Sequence, residues 1–303
     1  MKKGKFLIWH ADDLGTQFSQ NAGILEAATK GFLTSASIRT NGVAFEDACK
    51  RVIPACPQLG LGVHICLNEG SCTAPSQQVP LLADQTGHFK YVGAKGFISL
   101  AWRGISRKFR EQTEIEMRCQ IEKIISILGS ADHIDGHMHI HAIPWIFKIT
   151  LALAEEYGIS FIRVPREPLI LSALQKHRPH IINFAHYLNL QTYTLLHRKW
   201  LSSAKVLSND WFFGLLHTSA MNENVTKALL SAHKRQGITE FLFHPALPVA
   251  EPYYLEKYLE RFFKDEIRQE ELHACMSENI KNIIKEQGWL LTNYHELARD
   301  IKR

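Results

Sequence analysis

The sequence lacks the features that would place it in a membrane or carry it across one. Its 303 residues contain no run of 18 apolar residues, so no transmembrane helix is predicted. The basic start of the chain leads into an apolar stretch, residues 6–9, that is too short for the core of a signal peptide. We therefore expect a cytoplasmic protein.

Other absences narrow the class further. The six cysteines form no CxxC pair, which argues against a zinc ribbon or a thioredoxin-like site and favours free thiols. Without an internal repeat or a Gly/Ser-rich linker, residues 1–303 are expected to form a single domain. The charge excess, 35 Lys and Arg against 30 Asp and Glu, suits an anionic substrate or a membrane surface. It is too weak and dispersed to predict a nucleic-acid partner.

Short apolar runs alternate instead with helix-like segments along the chain. This alternation predicts βα units and a parallel sheet, and about eight such units favour a closed or distorted barrel over an open sheet. The predicted strands are residues 5–9, 34–39, 61–67, 133–139, 160–164, 206–209, 240–244 and 289–292. Insertions are predicted at residues 71–110 and, in helical form, at residues 177–204, with a further helix near residues 254–263.

Polar residues gather where the predicted strands end. The carboxyl ends of barrel strands converge on one face, and carboxylates with imidazoles but no thiolate suit a divalent cation. One Asp and two His would leave positions open for water and substrate. The candidates are Asp12 and Asp13 after the first strand, His64 in the third, Asp135, His137, His139 and His141 in the fourth, and His244 after the seventh.

The adjacent aspartates Asp12 and Asp13 would point to opposite sides of an extended strand, but both can face a cavity if the chain turns there. One could then hold the metal while the other accepts a proton from water. An Asp-Asp-Leu-Gly run is also typical of a turn or a helix cap.

The three histidines His137, His139 and His141 alternate along one face of the predicted fourth strand. Asp135 in front of them could accept an imidazole N–H and so orient a ligand. The alternative is an exposed polar face, or core histidines with ordinary hydrogen-bond partners.

Five motifs follow one another along the chain: ADDLG at 11–15, GVHICLNEG at 62–70, HIDGHMHIH at 133–141, RVPREP at 163–168 and FLFHPA at 241–246. Together they resemble the YdjC/ChbG-type carbohydrate deacetylases, a family that includes the HpnK-like enzymes of hopanoid lipid synthesis. The resemblance implies an α/β fold, a distorted TIM-like (β/α) barrel related to the NodB-type polysaccharide deacetylases. It also implies hydrolysis of an N-acetyl group from an amino sugar, with release of acetate.

The resemblance further implies roles for five residues. Asp13, His64 and His137 match the ligands of one divalent metal ion, Mg²⁺ or Zn²⁺. Asp12 matches the general base, and His244 is the best match for the acid that protonates the leaving amine.

Three later residues are candidates for substrate contact. Arg163 and Glu167 would hold the sugar or fix their loop, and their alternative is a surface ion pair. The Trp211 ring would stack on a sugar face, and its alternative is packing in the core.

The pattern of apolar and basic residues over 97–110 predicts a basic amphipathic helix that would cover the site. Its apolar face would carry Ile98, Trp102, Ile105 and Phe109, with Arg103, Arg107 and Arg110 opposite. This pattern is typical of membrane-surface segments, and it leads to the hypothesis of a lipid-linked amino sugar met at the inner membrane face. The alternative is a lid helix whose apolar face packs on the barrel. The resemblance also implies a homodimer.

Two other functions compete with deacetylation. Another barrel metal hydrolase, an amidohydrolase or phosphoesterase, would tend to carry an HxH motif on its first strand, whereas this chain carries two aspartates there. A sugar-binding relative without catalysis is the second alternative, and the presence of Asp12, Asp13, His64, His137 and His244 argues against it.

Overall fold

The computed structural model describes residues 4–248 and 266–302, and the helix predicted near residues 254–263 lies outside them. Eight strands are described: β1 (Lys5–Leu14), β2 (Ser35–Ile38), β3 (Gly60–Ile65), β4 (His133–Gly136), β5 (Phe161–Ile162), β6 (Trp211–Phe213), β7 (Gly237–Phe243) and β8 (Leu290–Thr292). The described pairings between these strands are all parallel.

Helices follow most of the strands and surround the sheet. They are α1 (Phe18–Thr29), α2 (Phe45–Asp47), α3 (Ile53–Ala55), α4 (Gly93–Arg103), α5 (Arg107–Leu128), α6 (Pro144–Glu156), α7 (Leu171–Lys176), α8 (Ile181–Leu201), α9 (Glu223–Ala232), α10 (Ile267–Met276), α11 (Glu278–Glu286) and α12 (Tyr294–Lys302). A π-helical turn (Ala48–Val52) joins α2 to α3, and a 3₁₀ segment (His137–Ala142) follows β4.

The sheet curves into a distorted barrel. Its strand order is β5–β4–β3–β2–β1–β7–β6, with β8 beside the first half of β1. Leu207, shortly before β6, exchanges two backbone hydrogen bonds of 2.9 Å with the β5 edge, one to Ser160 and one from Ile162. These bonds link the two edges of the sheet, and the predicted α/β barrel is confirmed.

The central strand β1 separates two kinds of interior. Trp9 packs outward among apolar side chains, with its ring 5.1 Å from that of Phe241 and 4.6 Å from that of Phe243. The alternate residues His10 and Asp12 are also buried, but they belong to a polar barrel interior. The period of two along a strand therefore produces an apolar layer under the helices and a charged layer inside the barrel.

Two sequence predictions about strands are wrong. The fourth strand ends at Gly136, and the chain turns into the 3₁₀ segment because Met138 and His139 take left-handed backbone angles, with φ of 51° and 55°. The three histidines therefore do not share a strand face. The predicted strand at residues 206–209 pairs only at Leu207, and β6 comes a few residues later.

The helix predicted over residues 97–110 is broken in two. Helix α4 ends before Gly104, which lies against the Trp145 ring, and Ser106 caps α5 by accepting the Phe109 N–H at 3.3 Å. Phe109 on α5 is buried, whereas Ile98 and Trp102 on α4 and Ile105 in the break are exposed. The prediction of one helix with a single amphipathic face is therefore wrong. The alternative, a lid helix that packs all four apolar side chains on the barrel, is wrong as well.

The second insertion, residues 177–204, is helical as predicted and consists mainly of α8, while α7 precedes it. Among the helices of residues 4–248 and 266–302, none combines the length and the apolar composition needed to cross a bilayer.

Candidate active site

The carboxyl ends of the strands open into one cavity of about 620 Å³. Its floor is polar and contains Asp12, Asp13, Glu69, His137, His139 and His244. Its walls are mostly apolar and include Ala94, Phe97 and Ile98 from α4, Ile182 and Ala185 from α8, and Met138, Leu215 and Leu242. A polar group can therefore be held at the bottom while an apolar one lies along the wall.

Both aspartates of β1 reach this cavity because the chain bends between them. Asp13 has a left-handed φ of 67°, and the register of β1 against β2 shifts between Ala11 and Leu14. A non-glycine residue in this region is strained, so the surrounding contacts must hold it. Asp12 and Asp13 consequently face the same space, where a regular strand would have turned one of them away.

Asp13 lies with two imidazoles in a cluster that could hold a metal ion. Its Oδ1 atom is 3.4 Å from His64 Nε2 and 3.1 Å from His137 Nδ1, and the three ligand atoms lie within 4.8 Å of one another. All three residues are largely or fully buried. One carboxylate and two imidazoles form a donor set that suits Zn²⁺ and other divalent ions.

The hydrogen bonding of His64 is that expected of a metal-ligating imidazole. Nδ1 donates to Asp135 Oδ1 at 2.7 Å, while the buried Nε2 makes no hydrogen bond and points toward Asp13. An unsatisfied buried nitrogen beside a carboxylate fits a metal ligand, and Asp135 fixes its orientation. The residues present therefore fit a divalent cation.

The charges around this cluster shift the pKa values of its members. Burial would lower the pKa of His64, but the Asp12 and Asp135 carboxylates outweigh burial and raise it to about 10. Burial would raise the pKa of Asp13, but His137 and His64 hold it well below its usual range. A cation that binds here must displace imidazole protons.

Glu69 is a floor residue that the sequence did not single out. Its Oε2 atom accepts from His137 Nε2 at 2.9 Å, and its Oε1 atom accepts from Arg39 Nη1 at 2.5 Å. Glu69 therefore orients His137 in the way that Asp135 orients His64. Its position just past the end of β3 could have identified it from the sequence, because the other candidates were chosen as polar residues at strand ends.

Asp12 lies beside the metal cluster but has a different partner. The Arg163 guanidinium donates to both carboxylate oxygens, Nη1 to Oδ2 at 3.0 Å and Nη2 to Oδ1 at 2.7 Å. Burial would raise the pKa of Asp12, but Arg163 and then His64 hold it far below its usual range. Asp12 is therefore ionised at neutral pH and fixed by a two-pronged bond.

Arg163 is fully buried and is shared by several carboxylates. Its guanidinium also contacts Asp135 Oδ2 at 2.7 Å and Glu240 Oε1 at 2.6 Å, and Tyr294 donates its hydroxyl proton to Glu240. It lies beneath Asp12 and does not line the cavity. Arg163 therefore holds Asp12 in place from below, and the alternative of a surface ion pair does not apply to it. Glu240 was not singled out, although a carboxylate inside an otherwise apolar strand was a usable signal.

His244 reaches the cavity on the loop after β7. Glu271 Oε2 accepts the His244 backbone N–H at 2.5 Å and lies 3.6 Å from its Nδ1 atom. The loop lies directly on α1 at Gly23, where a Cβ would come within 2.6 Å of the Ala246 and Pro245 backbone. Glu271 had no signal in the sequence, because it comes from a distant helix.

The remaining candidates have other surroundings. His139 lines the cavity, with its ring 5.3 Å from that of Phe212, and burial keeps its pKa well below the usual value. His141 lies behind it, donates from Nε2 to the Arg163 carbonyl at 3.0 Å, and has a pKa lowered by burial to about 3. Both imidazoles are neutral.

Glu167 and Trp211 do not line the cavity. The buried Glu167 carboxylate accepts the backbone N–H groups of Leu215 and Leu216, at 2.8 and 3.0 Å, and so holds the loop beside the cavity. Trp211 lies between the guanidinium groups of Arg166 and Arg235, 4.2 and 4.3 Å from its ring. These positions favour loop support and packing over contact with a sugar.

Comparison with known proteins identifies the family and supports the fold. The model of the YdjC-like protein family matches residues 6–286. A structure from Enterococcus faecalis V583, of a protein to which cellobiose-phosphate cleavage is ascribed, superposes with a TM-score of 0.71. That superposition covers 97% of this chain and 99% of the other at 23% identity, and it supports the fold.

Curated relatives match over part or nearly all of their length. A carbohydrate deacetylase of Thermoanaerobacter pseudethanolicus is 25% identical over 96% of this chain and 98% of its own. A carbohydrate deacetylase of Brevibacillus brevis is 38% identical, but the match covers 52% of this chain and only 59% of that protein. A chitooligosaccharide deacetylase of Salmonella typhimurium is 32% identical over 55% of this chain and 62% of its own.

Proposed function

This chain belongs to the YdjC-like family, and from that membership we propose that it is a metal-dependent hydrolase that removes an N-acetyl group from an amino sugar. The names of the curated relatives, carbohydrate deacetylase and chitooligosaccharide deacetylase, support the reaction class. The match of the family model over residues 6–286 supports the transfer to this chain.

One observation carries the proposal: two adjacent carboxylates share a cavity but have different partners. Asp13 lies with His64 and His137, whereas Asp12 is bonded by Arg163. A divalent cation held by Asp13, His64 and His137 would acidify a water molecule and polarise the acetyl carbonyl. Asp12, the second carboxylate, is then available for proton transfer. Amide hydrolysis by this route uses both a cation-binding group and a proton acceptor.

In the proposed reaction Asp12 accepts a proton from the water that attacks the acetyl carbon. Arg163 keeps the carboxylate ionised and fixed in direction before that transfer. His244 also lines the cavity, and we assign to it the proton that the leaving nitrogen must gain. The C–N bond breaks, and acetate and the free amine leave.

The finer parts of the proposal concern the cation, the substrate and the setting. Mg²⁺ and Zn²⁺ are the proposed cations, because the donor set suits both when waters complete the shell. The substrate is an N-acetylated oligosaccharide or a lipid-linked glycan. The proposed setting is the cytoplasm, with a homodimer and with contact to the inner membrane face near residues 97–110.

Acetate release tests the proposal directly. The panel contains N-acetylglucosamine oligosaccharides and glycolipids, incubated with the chelated protein and with protein resupplied with Zn²⁺ or Mg²⁺. We expect release only with metal, and a loss of about 10²- to 10⁴-fold in kcat for Asp12→Asn because the proton acceptor is removed.

A matched control separates this loss from misfolding. Asp300→Asn changes an exposed aspartate on α12 and should leave the rate unchanged. Acetate release that survives in Asp12→Asn would overturn the assigned base. Phosphate release from phosphoesters without acetate release would favour another metal hydrolase, and sugar binding without turnover would favour a binding protein.

A further inference from the structure

Exposed apolar side chains are concentrated in the two segments that contribute the apolar wall of the cavity. We define the rim segments as residues 93–110, which contain α4 and the start of α5, and residues 168–209, which contain α7 and α8. These 60 residues hold 11 of the 16 large apolar side chains that are exposed in the described part of the chain. A soluble surface rarely concentrates apolar groups in this way unless something covers them.

The apolar groups of the rim segments form continuous features. Ile98 and Trp102 lie one turn apart on α4 and are 63% and 73% exposed. Ile181, Leu188 and Leu195 follow one another every seven residues along α8 and form a single stripe. The Phe97 ring contacts that of His186 at 4.8 Å, so the two segments lie side by side.

Charge is segregated in the same segments. They contain ten basic residues, five in each, and not one Asp or Glu. The basic residues are Lys95, Arg103, Arg107, Lys108 and Arg110 in the first segment, and Lys176, Arg178, Arg198, Lys199 and Lys205 in the second. The rest of the chain has 25 basic and 30 acidic residues, since 35 − 10 = 25. The segments that carry most of the exposed apolar groups are therefore also the most basic segments of the chain.

The same segments form the walls of the cavity. Ile98 and Ile182 are exposed at the rim and also line the cavity, so the apolar surface runs from the outside down toward the polar floor. An apolar chain attached to a sugar could follow this wall while the sugar reaches Asp12 and His137.

We propose that the rim segments are a docking surface for an anionic lipid bilayer, from which the cavity receives the amino-sugar head of a lipid-anchored glycan. Apolar side chains with interspersed Lys and Arg match the acyl boundary and the phosphates of such a surface. The docking stands on the rim segments alone, whereas the substrate rests on the deacetylation proposed above.

Vesicle flotation of the full chain tests the docking. Vesicles of phosphatidylcholine, with or without phosphatidylglycerol, are floated with wild type and with Trp102→Ser/Ile105→Ser/Ile181→Ser. We expect wild type to float with anionic vesicles, less so at high salt. The triple variant should lower the partition coefficient at least about tenfold because three apolar anchors are lost.

Ile127→Ser/Leu290→Ser is the matched control, since both side chains are exposed but lie outside the rim segments. It should float like wild type. A second variant, Lys95→Glu/Lys108→Glu/Lys176→Glu, keeps the apolar groups and should lose only the preference for anionic vesicles. Wild type that does not float, or a control that loses as much binding as the triple variant, would overturn the docking.

Two further measurements separate the competing outcomes. If light scattering shows a dimer that the triple variant dissociates, and wild type does not float, a second copy covers the surface and the proposal is wrong. With deacetylation established, the triple variant should keep its rate on a soluble oligosaccharide and lose it on a glycolipid in vesicles. Flotation without acetate release from any substrate would leave the docking standing and remove the proposed function.

Discussion

The floor of the cavity and the rim segments differ in how their charged side chains are arranged. On the floor, acidic and basic side chains are largely buried and most have a charged partner, as Arg163 has in Asp12, Asp135 and Glu240. On the rim, ten basic residues lie among exposed apolar side chains, and no acidic residue falls within the two segments. Arg107 pairs with Glu111, just beyond the first segment. The charges of the floor are thus balanced within the chain and by the cation that Asp13, His64 and His137 could hold. The proposed role of the rim depends instead on a partner outside the chain.

This difference predicts that substitutions in the two regions affect different properties of the protein. A buried ion loses its solvation and depends on its partners, so one substitution on the floor leaves another charge uncompensated. An exposed charge keeps its water, so a substitution on the rim should alter association and leave folding intact.

The largest effect is expected from Arg163→Met. This change removes the cation shared by three buried carboxylates, and the free energy of unfolding should fall by about 3–5 kcal/mol. Urea denaturation at neutral pH measures the loss. Part of it should return as the pH is lowered, because the carboxylates that lost their cation can then be protonated in the folded protein.

Arg118→Met is the control for that experiment. Arg118 is a partly exposed arginine that is paired with Glu156, and its loss should cost less than about 1 kcal/mol. Equal losses for the two variants would contradict the distinction between floor and surface.

A smaller but specific effect is expected from His244→Asn. Loss of the proton donor should lower kcat by about 100-fold or more, with little change in KM or in stability. Steady-state acetate release measures both constants. His273→Asn changes an exposed histidine on α10 close to Glu271 and serves as the control. A change confined to KM would place His244 in substrate binding.

Glu69→Gln tests the support beneath the metal ligands. The variant keeps the shape of the side chain but loses the charge that orients His137, and affinity for Zn²⁺ should fall by about 10- to 100-fold. Competition with a chromophoric chelator measures this without any turnover. Glu111→Gln, at an exposed ion pair on α5, should leave the affinity unchanged, and unaltered affinity in Glu69→Gln would remove its assigned role.

The smallest effect is expected from Glu167, a buried carboxylate held by backbone N–H groups. Burial raises its pKa from 4.5 to about 7, so the folded protein keeps a proton that the unfolded chain has already lost. Wild type should therefore lose stability as the pH rises, by about 1 kcal/mol between about pH 6 and pH 7.

Glu167→Gln should lack this component, and Glu286→Gln, at an exposed position, should retain it. Urea midpoints across the same pH range measure the difference. Parallel curves for wild type and Glu167→Gln would contradict the raised pKa.

The sequence was sufficient for features that depend on local pattern. Alternating strands and helices predicted the parallel barrel, and the rule that polar residues follow strand ends brought out Asp12, Asp13, His64, His137 and His244, all of which the structure brings to one end of the barrel. The resemblance to the deacetylases supplied their roles, which remain predictions.

Features that depend on long-range neighbours were not predictable in the same way. Arg163 meets Asp12 across 151 residues only because β5 lies opposite β1 in the barrel, and Glu271 meets His244 through a helix that no local pattern connects to β7. The left-handed pair Met138 and His139 also escaped prediction, since a run of alternating histidines has the period of a strand.

The concentration of positive charge in the rim segments gives the protein an electric dipole. The two segments carry ten positive charges, whereas the rest of the chain has five more acidic than basic residues. Near a negatively charged surface such a molecule experiences a torque as well as an attraction, and both act over about one Debye length. The proposed docking would therefore begin with the rim segments, because they would be drawn to the surface first.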